Sequence, residues 1–362
     1  MKILLVTLHS QNNNFGSVLQ AFSLSQFLIE NSYYVETLDY RPYYSNGATN
    51  FKAGLKKLLI NLVFFPHFII RKKKFDNIIG RQELSRHYTN SQEIFNDPPV
   101  ADVYMIGSDQ VWNPNYLCGQ DDIYYLKFVR KAHKMSYAAS MGTSISDIRQ
   151  LKAIENKIFD FDYISLREQQ SVEEFHSIGF KKPEYVLDPV FLHNKAYYQN
   201  IEVKPKLKGY ILAYIIHKDP FIAEVVKYVR KKTGKKVILI GGFQSKCKYD
   251  YYPRTAGPAE FLGYIDNADI IITSSFHGLA FAHIYNKQFL VVLPHGNTLR
   301  LTNIMNSAGT SERVIQDISD VDRVMGNNID FNYVNAHLAD RISKSKDYLL
   351  GALKSISDGK DL

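Results

Sequence analysis

Two doubly wound α/β domains are what this sequence predicts, and three observations predict them. Short β-branched apolar runs alternate with helix-period segments through most of the chain, the pattern of strand–helix–strand units and parallel sheets. The polar stretch Lys195–Lys208 interrupts that alternation, so one series ends before it and a second begins after it. At 362 residues the chain also exceeds the size at which a single core usually stops growing. The expected division is residues 1–193, residues 205–330, and a C-terminal helix and tail over 331–362.

Lys2–Leu8 reads as a first strand, since the apolar run is too short for a signal peptide and no small-residue cleavage site comes after it. Gly16–Glu30 reads as a helix with Leu24, Phe27 and Leu28 on its buried stripe. Tyr34–Asp39, Val103–Ile106, Met135–Ala139 and Tyr163–Leu166 are further strands. A helix runs from about Glu168 to Ser177, and Val186-Leu187-Asp188-Pro189 is a strand end stopped by proline. The second series is Tyr210–Ile216, a helix around Ile222–Lys232, Val237–Ile240, a helix near Ala259–Ile265, Ile270–Thr273, a helix after Gly278, and Phe289–Leu293. Leu338, Ile342, Leu349, Leu353 and Ile356 keep helical spacing and predict a terminal amphipathic helix.

Composition narrows the class. A hydrophobic content of 45% with 22% charged residues is that of a globular protein and excludes disorder as the main state. Cys118 and Cys247 lie far apart with no ligand spacing, which predicts neither disulfide nor metal site and suits a reducing cytoplasm. The formal charge of +8 points to anionic partners. No helix-turn-helix, zinc-finger or RNA-binding signature is present, so nucleic acid is not expected. One basic cluster, Arg71-Lys72-Lys73-Lys74, directly succeeds the apolar run 58–70, and Lys56-Lys57 precede that run. Pro66 and the short length exclude a bilayer span. Segment 56–74 therefore reads either as a helix packed under the first domain or as a peripheral contact with an anionic membrane face.

In open α/β sheets ligands bind outside the carboxyl ends of the strands, which gives four turns special weight. Ala268–Ala282 carries the first: a β-branched run, a polar turn, then Ser275, His277 and Gly278 opening a helix. A helix start favours an anion, and a histidine there can move a proton near neutral pH. In the second, Ser10–Ser17, Asn14, Gly16 and Ser17 could offer a helix start to an anion or hydroxyl, although neither a P-loop nor a dinucleotide fingerprint is present. In the third, Ile106–Pro114, Ser108 gives flexibility, Asp109 is a carboxylate able to take a proton from a sugar hydroxyl, Gln110 is an amide, and Trp112 could stack on a sugar face. The alternative is an Asp helix cap beside a core tryptophan. In the fourth, Arg167 suits bidentate capture of a carboxylate or phosphate, or else forms an ion pair with a nearby acid. Downstream, His295, Arg300 and Arg313 are basic side chains able to face the same cleft. The absence of Gly-x-Ser-x-Gly argues against an α/β-hydrolase.

Asn14–Ala21, Gly107–Pro114, Tyr137–Gly142, Ser165–Glu168, Leu187–Pro189 and Ser274–Gly278, taken together and in this order, resemble the polysaccharide pyruvyl transferase family. The resemblance runs from about residue 3 to about residue 315. It implies a GT-B-like architecture and transfer of pyruvate from phosphoenolpyruvate to sugar hydroxyls of a surface polysaccharide, often as a cyclic ketal. It also implies a donor site holding an Arg-x-His turn and a separate arginine. His277 matches that histidine, Arg167 resembles the separate arginine, and Ser275 stands where the other arginine is expected. Arg300 is the candidate to supply the charge missing at Ser275.

The residue chemistry suits this reaction. Guanidinium forks and a helix start receive the donor's carboxylate and phosphate, His277 protonates the enol carbon, and Asp109 deprotonates the acceptor or steadies an oxocarbenium-like centre. No cofactor is expected beyond phosphoenolpyruvate as donor, with a sugar or lipid-linked oligosaccharide as acceptor. The rivals are a GT-B nucleotide-sugar glycosyltransferase, with Glu260 as the nearest acid for a ribose, and an inactive sugar- or anion-binding protein on the same scaffold.

Overall fold

The computed structural model describes residues 1–9, 14–42, 54–216, 219–241, 246–296 and 298–359, with the helical backbone alone over 54–65. The chain forms two compact units, Met1–His193 with Ile342–Leu362, and Asn194–Arg341.

In the first unit, β1 (Lys2–Val6), β2 (Tyr34–Thr37), β3 (Glu83–Leu84), β4 (Val103–Ile106) and β5 (His133–Ser136) form a parallel sheet in the order β3-β2-β1-β4-β5. A parallel pair, β6 (Ile164–Leu166) and β7 (Pro183–Tyr185), extends it beyond β5 through bridges Met135–Tyr163 and Ala139–Leu166. Successive residues of β1 and β4 point to opposite faces. Leu4, Val6, Tyr104 and Ile106 join one apolar cluster, and Ile3, Leu5, Val103 and Met105 join another. Burial on both faces is why these strands read as unbroken apolar runs. The helices are α1 (Phe15–Glu30), α2 (Gly54–Ile79), α3 (Ser91–Asn96), α4 (Ile148–Ile158) and α5 (Gln169–Ser177).

The second unit begins at α6 (Lys195–Gln199), within the stretch expected to be a linker. Asn194 caps it, and Tyr198 is buried with its ring edge-on to Phe281 at 5.1 Å. Its parallel sheet holds β8 (Tyr210–Ile215), β9 (Val237–Gly241), β10 (Ala268–Thr273) and β11 (Gln288–Val291) in the order β11-β10-β8-β9. Between and after the strands lie α7 (Pro220–Thr233), α8 (Pro258–Asp266), α9 (Phe276–Ile284), α10 (Leu299–Ala308), α11 (Asp320–Gly326) and α12 (Phe331–Ser357). Local rules set their limits. α7 starts at an Asp219 cap with Pro220 in its first position, and stops at Gly234 with φ +68.

Residues 331–362 are not a separate tail. From Ile342 the chain is part of the first unit, because Leu349, Ala352 and Leu353 are buried in the same cluster as Ile3, Leu5, Val103 and Met105.

Candidate functional site

Each sheet has a point where the chain reverses its direction of winding, between β1 and β4 in the first unit and between β8 and β10 in the second. Ligands of open α/β sheets bind at such points, beyond the carboxyl ends of the strands.

At the first of these, α1 begins with Asn14 as its cap, its Oδ1 accepting from the Gly16 and Ser17 amides at 3.0 and 3.4 Å. Ser17 Oγ donates to the Leu8 carbonyl. Gln20 Nε2 donates to Thr7 Oγ1, the Leu8 carbonyl and the Ser17 carbonyl at 3.0, 3.2 and 3.0 Å. Thr7 Oγ1 in turn donates to the Ser108 carbonyl at 2.8 Å, tying the β1 turn to the β4 turn. Ser10 to Asn13 lie outside the described residues.

Asp109 comes after β4 with φ +73, the left-handed region that asparagine and aspartate tolerate better than most residues. Its carbonyl accepts from Val111 and Ser140, and its Oδ1 accepts from the Gln110 amide at 2.9 Å. The carboxylate thus does cap its own turn. Ala138, in the neighbouring turn after β5, also has φ +55, so two non-glycine residues of this region hold a backbone that costs free energy. Gly142 has φ +67, and a Cβ there would lie 2.1 Å from Gln110 Oε1 and 2.7 Å from Asn113 Nδ2, so any other residue would strain the backbone and displace those side chains. Those two side chains bond each other at 2.8 Å.

Arg167 is buried, not at an open mouth. Its Nη1 donates to Asp188 Oδ2 at 2.5 Å and to Ser108 Oγ at 3.3 Å, and its Nε stands 3.5 Å from Glu168 Oε1. Burial acts to lower the guanidinium's pKa, but the Asp188, Glu168 and Asp109 carboxylates outweigh it and leave it raised. Ser108 Oγ donates to Asp188 at 2.9 Å and Ser140 Oγ to Glu168 at 2.6 Å. Five segments far apart in sequence, 14–21, 107–114, 137–142, 165–168 and 187–189, therefore form one hydrogen-bonded floor.

Trp112 does not face a sugar. It is fully buried, stacked on Tyr125 with ring centroids 6.0 Å apart, edge-on to Phe161, and its Nε1 donates to the Tyr124 carbonyl at 2.7 Å. A tryptophan shortly after a strand-end carboxylate cannot be told from a core tryptophan until its neighbours are known.

Sequence reading missed a cluster on the other side of β1. Asp39, just past β2, accepts from His9 Nε2 at 3.0 Å, Arg41 Nε at 2.6 Å and His87 Nδ1 at 3.1 Å. Burial pushes its carboxyl up, yet the hydrogen bonds from His9 and Arg41 outweigh that and hold it down to about 2. His9 and Asp39 are buried, whereas Arg41 and His87 are partly exposed. His9 and Asp39 each stand shortly past a strand, β1 or β2, and no spacing in the sequence links them.

In the second unit, α9 opens at the carboxyl end of β10. Ser275 is its cap, its Oγ accepting from the Gly278 amide at 3.4 Å while its own amide donates to Thr273 Oγ1 at 3.0 Å. Ser275 thus has a local task that needs no charge. No acidic residue stands in the first turn, so no side chain there offsets the positive end of the helix dipole. His277 is in that turn, 6% exposed and edge-on to Phe276 at 5.0 Å. Gly278 seats the helix, since a Cβ would lie 2.5 Å from Thr273 Oγ1 and 2.7 Å from Tyr214 Cδ1. Gly278→Ala should push the start of α9 off the strand ends and destabilise the unit by about 1–3 kcal/mol. A thermal melt checks this; an unchanged midpoint would show that the helix start has slack.

Of the basic residues downstream, Arg300 lies in the first turn of α10, half-buried, and α10 packs on α9. His295 is exposed, and Asn297 lies outside the described residues. Arg313 faces the interior instead. Its Nε donates to the Phe289 carbonyl at 3.0 Å and its Nη1 to the Val324 and Asn327 carbonyls at 2.7 and 2.6 Å, and burial lowers its pKa to about 10. Glu260, the candidate acid for a ribose, accepts from the Gly257 amide at 3.0 Å and closes a capping box on α8. His277, Ser275, Gly278 and Arg300 thus belong to one unit, and Asp109, Ser108, Gln110 and Arg167 to the other. Among the described residues, no three His, Cys, Asp or Glu side chains group as metal ligands.

The family model described as polysaccharide pyruvyl transferase matches residues 14–296. No curated protein matches by sequence. Among solved structures, the UDP-N-acetylglucosamine 2-epimerase from Rickettsia bellii is similar at 13% identity and TM-score 0.52, over 99% of this chain and 97% of that one. The UDP-GlcNAc 2-epimerase from Neisseria meningitidis, bound to UDP-GlcNAc, is similar at 10% identity and TM-score 0.51, over 98% and 100%. The spinosyn forosaminyltransferase SpnP is similar at 9% identity and TM-score 0.51, over 98% and 99%. At such identities the likeness concerns fold alone, and the fold is of the GT-B class.

Proposed function

Because this chain belongs to the polysaccharide pyruvyl transferase family, we propose that it transfers pyruvate from phosphoenolpyruvate to two hydroxyls of a sugar in a surface polysaccharide or its precursor. The observation that carries the reading is the placement of His277 in the first turn of α9. That helix has a serine cap and no acid in its first turn, and it starts where the second sheet reverses its winding.

In this reading the start of α9 receives the donor's anionic groups, with Arg300 adding the charge that Ser275 does not carry. His277 delivers a proton to the methylene carbon of the enol as an acceptor hydroxyl bonds to its neighbour. The C–O bond to phosphate then breaks, phosphate departs with the electron pair, and a second hydroxyl closes the ketal with loss of its proton. In the first unit a strained turn presents Asp109, a carboxylate able by its chemistry to hold or deprotonate a sugar hydroxyl. Arg167 acts at one remove, holding Ser108 and Asp188 and through them the Asp109 turn. The products are a pyruvate ketal and inorganic phosphate.

The test is thermal stabilisation of the intact protein by candidate donors. Phosphoenolpyruvate should raise the unfolding midpoint, its stabilisation growing as RT ln(1 + [L]/Kd) and reaching about 2.7 kcal/mol at a hundredfold excess over Kd. UDP- and GDP-sugars should leave it unmoved. Stabilisation by a sugar nucleotide and not by phosphoenolpyruvate would replace this reading with a glycosyltransferase.

A further inference from the structure

Helix α2 presents a surface that the reaction does not use. Its C-terminal end is anchored: Phe75, Ile78 and Ile79 are buried, and the Arg71 guanidinium lies over the Phe15 and Phe75 rings at 5.2 and 5.5 Å. One turn earlier the helix is uncovered. Pro66 to Ile70 are all exposed, and Phe68, Ile69 and Ile70 are 54%, 48% and 46% accessible. Consecutive helical residues step by about 100°, so these three apolar side chains subtend about 200° of the helix. A helix packed under a domain would bury one such stripe.

Charge indicates what covers it. Arg71-Lys72-Lys73-Lys74 comes next, with Lys72 and Lys73 exposed, and Asp76, paired with Lys72 at 2.6 Å, is the one acid before the helix ends. In sequence the apolar run 58–70 is flanked by lysines at both ends. Apolar bulk between cationic ends suits a plane where hydrocarbon meets anionic headgroups, with lysine stems reaching up to the charge. Among the described residues no helix is long and apolar enough to cross a membrane.

We propose that α2 docks this protein on an anionic lipid surface, lying in the headgroup plane through Phe68, Ile69 and Ile70 with Lys72 and Lys73 on the phosphates. This goes beyond the proposed transfer reaction, and its test involves no turnover, so either can fail without the other.

The experiment is co-sedimentation of the full chain with vesicles of phosphatidylcholine alone and of phosphatidylcholine mixed with phosphatidylglycerol. Binding to the mixed vesicles and not to the neutral ones is expected. Lys72→Glu with Lys73→Glu should weaken it at least about tenfold, and Phe68→Ser with Ile69→Ser should abolish it. Both pairs are exposed, so the thermal midpoint should stay, which a melt verifies. Binding that neither variant changes, or no binding by the wild-type protein, overturns the proposal. So does a dimer in light scattering that Phe68→Ser with Ile69→Ser dissolves while vesicles are ignored, since the partner of the helix would then be a second copy.

Discussion

His277→Asn is expected to slow pyruvate transfer by about a hundred- to ten-thousand-fold, the range typical of losing a general acid. Asparagine keeps a polar group of similar reach beside Phe276 but cannot deliver a proton to carbon. The loss should therefore fall on kcat, with phosphoenolpyruvate still stabilising the variant in a melt. Single-turnover phosphate release separates the step. If the variant turns over normally, the proton comes from elsewhere and the first turn of α9 only binds. If donor binding disappears as well, His277 is a contact to the donor as much as an acid. Arg300→Ala completes the comparison, because it should weaken donor binding while leaving the chemical step nearly intact.

The second large effect is on stability. Arg167→Met removes the cation that Asp188 and Glu168 share in a region closed to water. Removing one partner of a buried ion pair costs about 3–5 kcal/mol. For a unit of this size, that is a midpoint lower by about 6–20 °C. Trp112 is the only tryptophan and is buried in the first unit, so its fluorescence reports that unit's unfolding by itself. Adding Asp188→Asn to Arg167→Met should recover part of the loss, because an uncharged pair tolerates burial better. An Arg167→Met protein that melts as the wild type does yet no longer binds phosphoenolpyruvate would return Arg167 to the donor.

Much of the candidate site is legible as a set of strand ends. Runs such as Ile3–Val6, Val103–Ile106 and Ile271–Ile272 are apolar because both faces of a parallel sheet are covered, and the residues after each strand then form a turn at the carboxyl edge. That locates Asn14, Asp109, Arg167 and His277 without coordinates. It does not say which way a side chain points. Trp112 and Arg313 are candidates by residue type and yet face inward, since burial is set by segments distant in the chain. Asp39 escapes a sequence reading because a lone aspartate after a strand carries no pattern; its three donors come from His9, Arg41 and His87.

By itself the sequence determined the strand–helix alternation, the strand-end turns and the family blocks, because these depend on periodicity and on neighbours a few residues apart. Only the tertiary structure decided that five of the blocks interlock around Arg167 and Asp188, that the end of α12 belongs to the first unit, and that Phe68–Ile70 stand uncovered. The physical reason is common to all three. Hydrogen bonds between turns, burial of a helix face and exposure of an apolar one are set by chain segments many residues away, and no local pattern encodes which segments will meet.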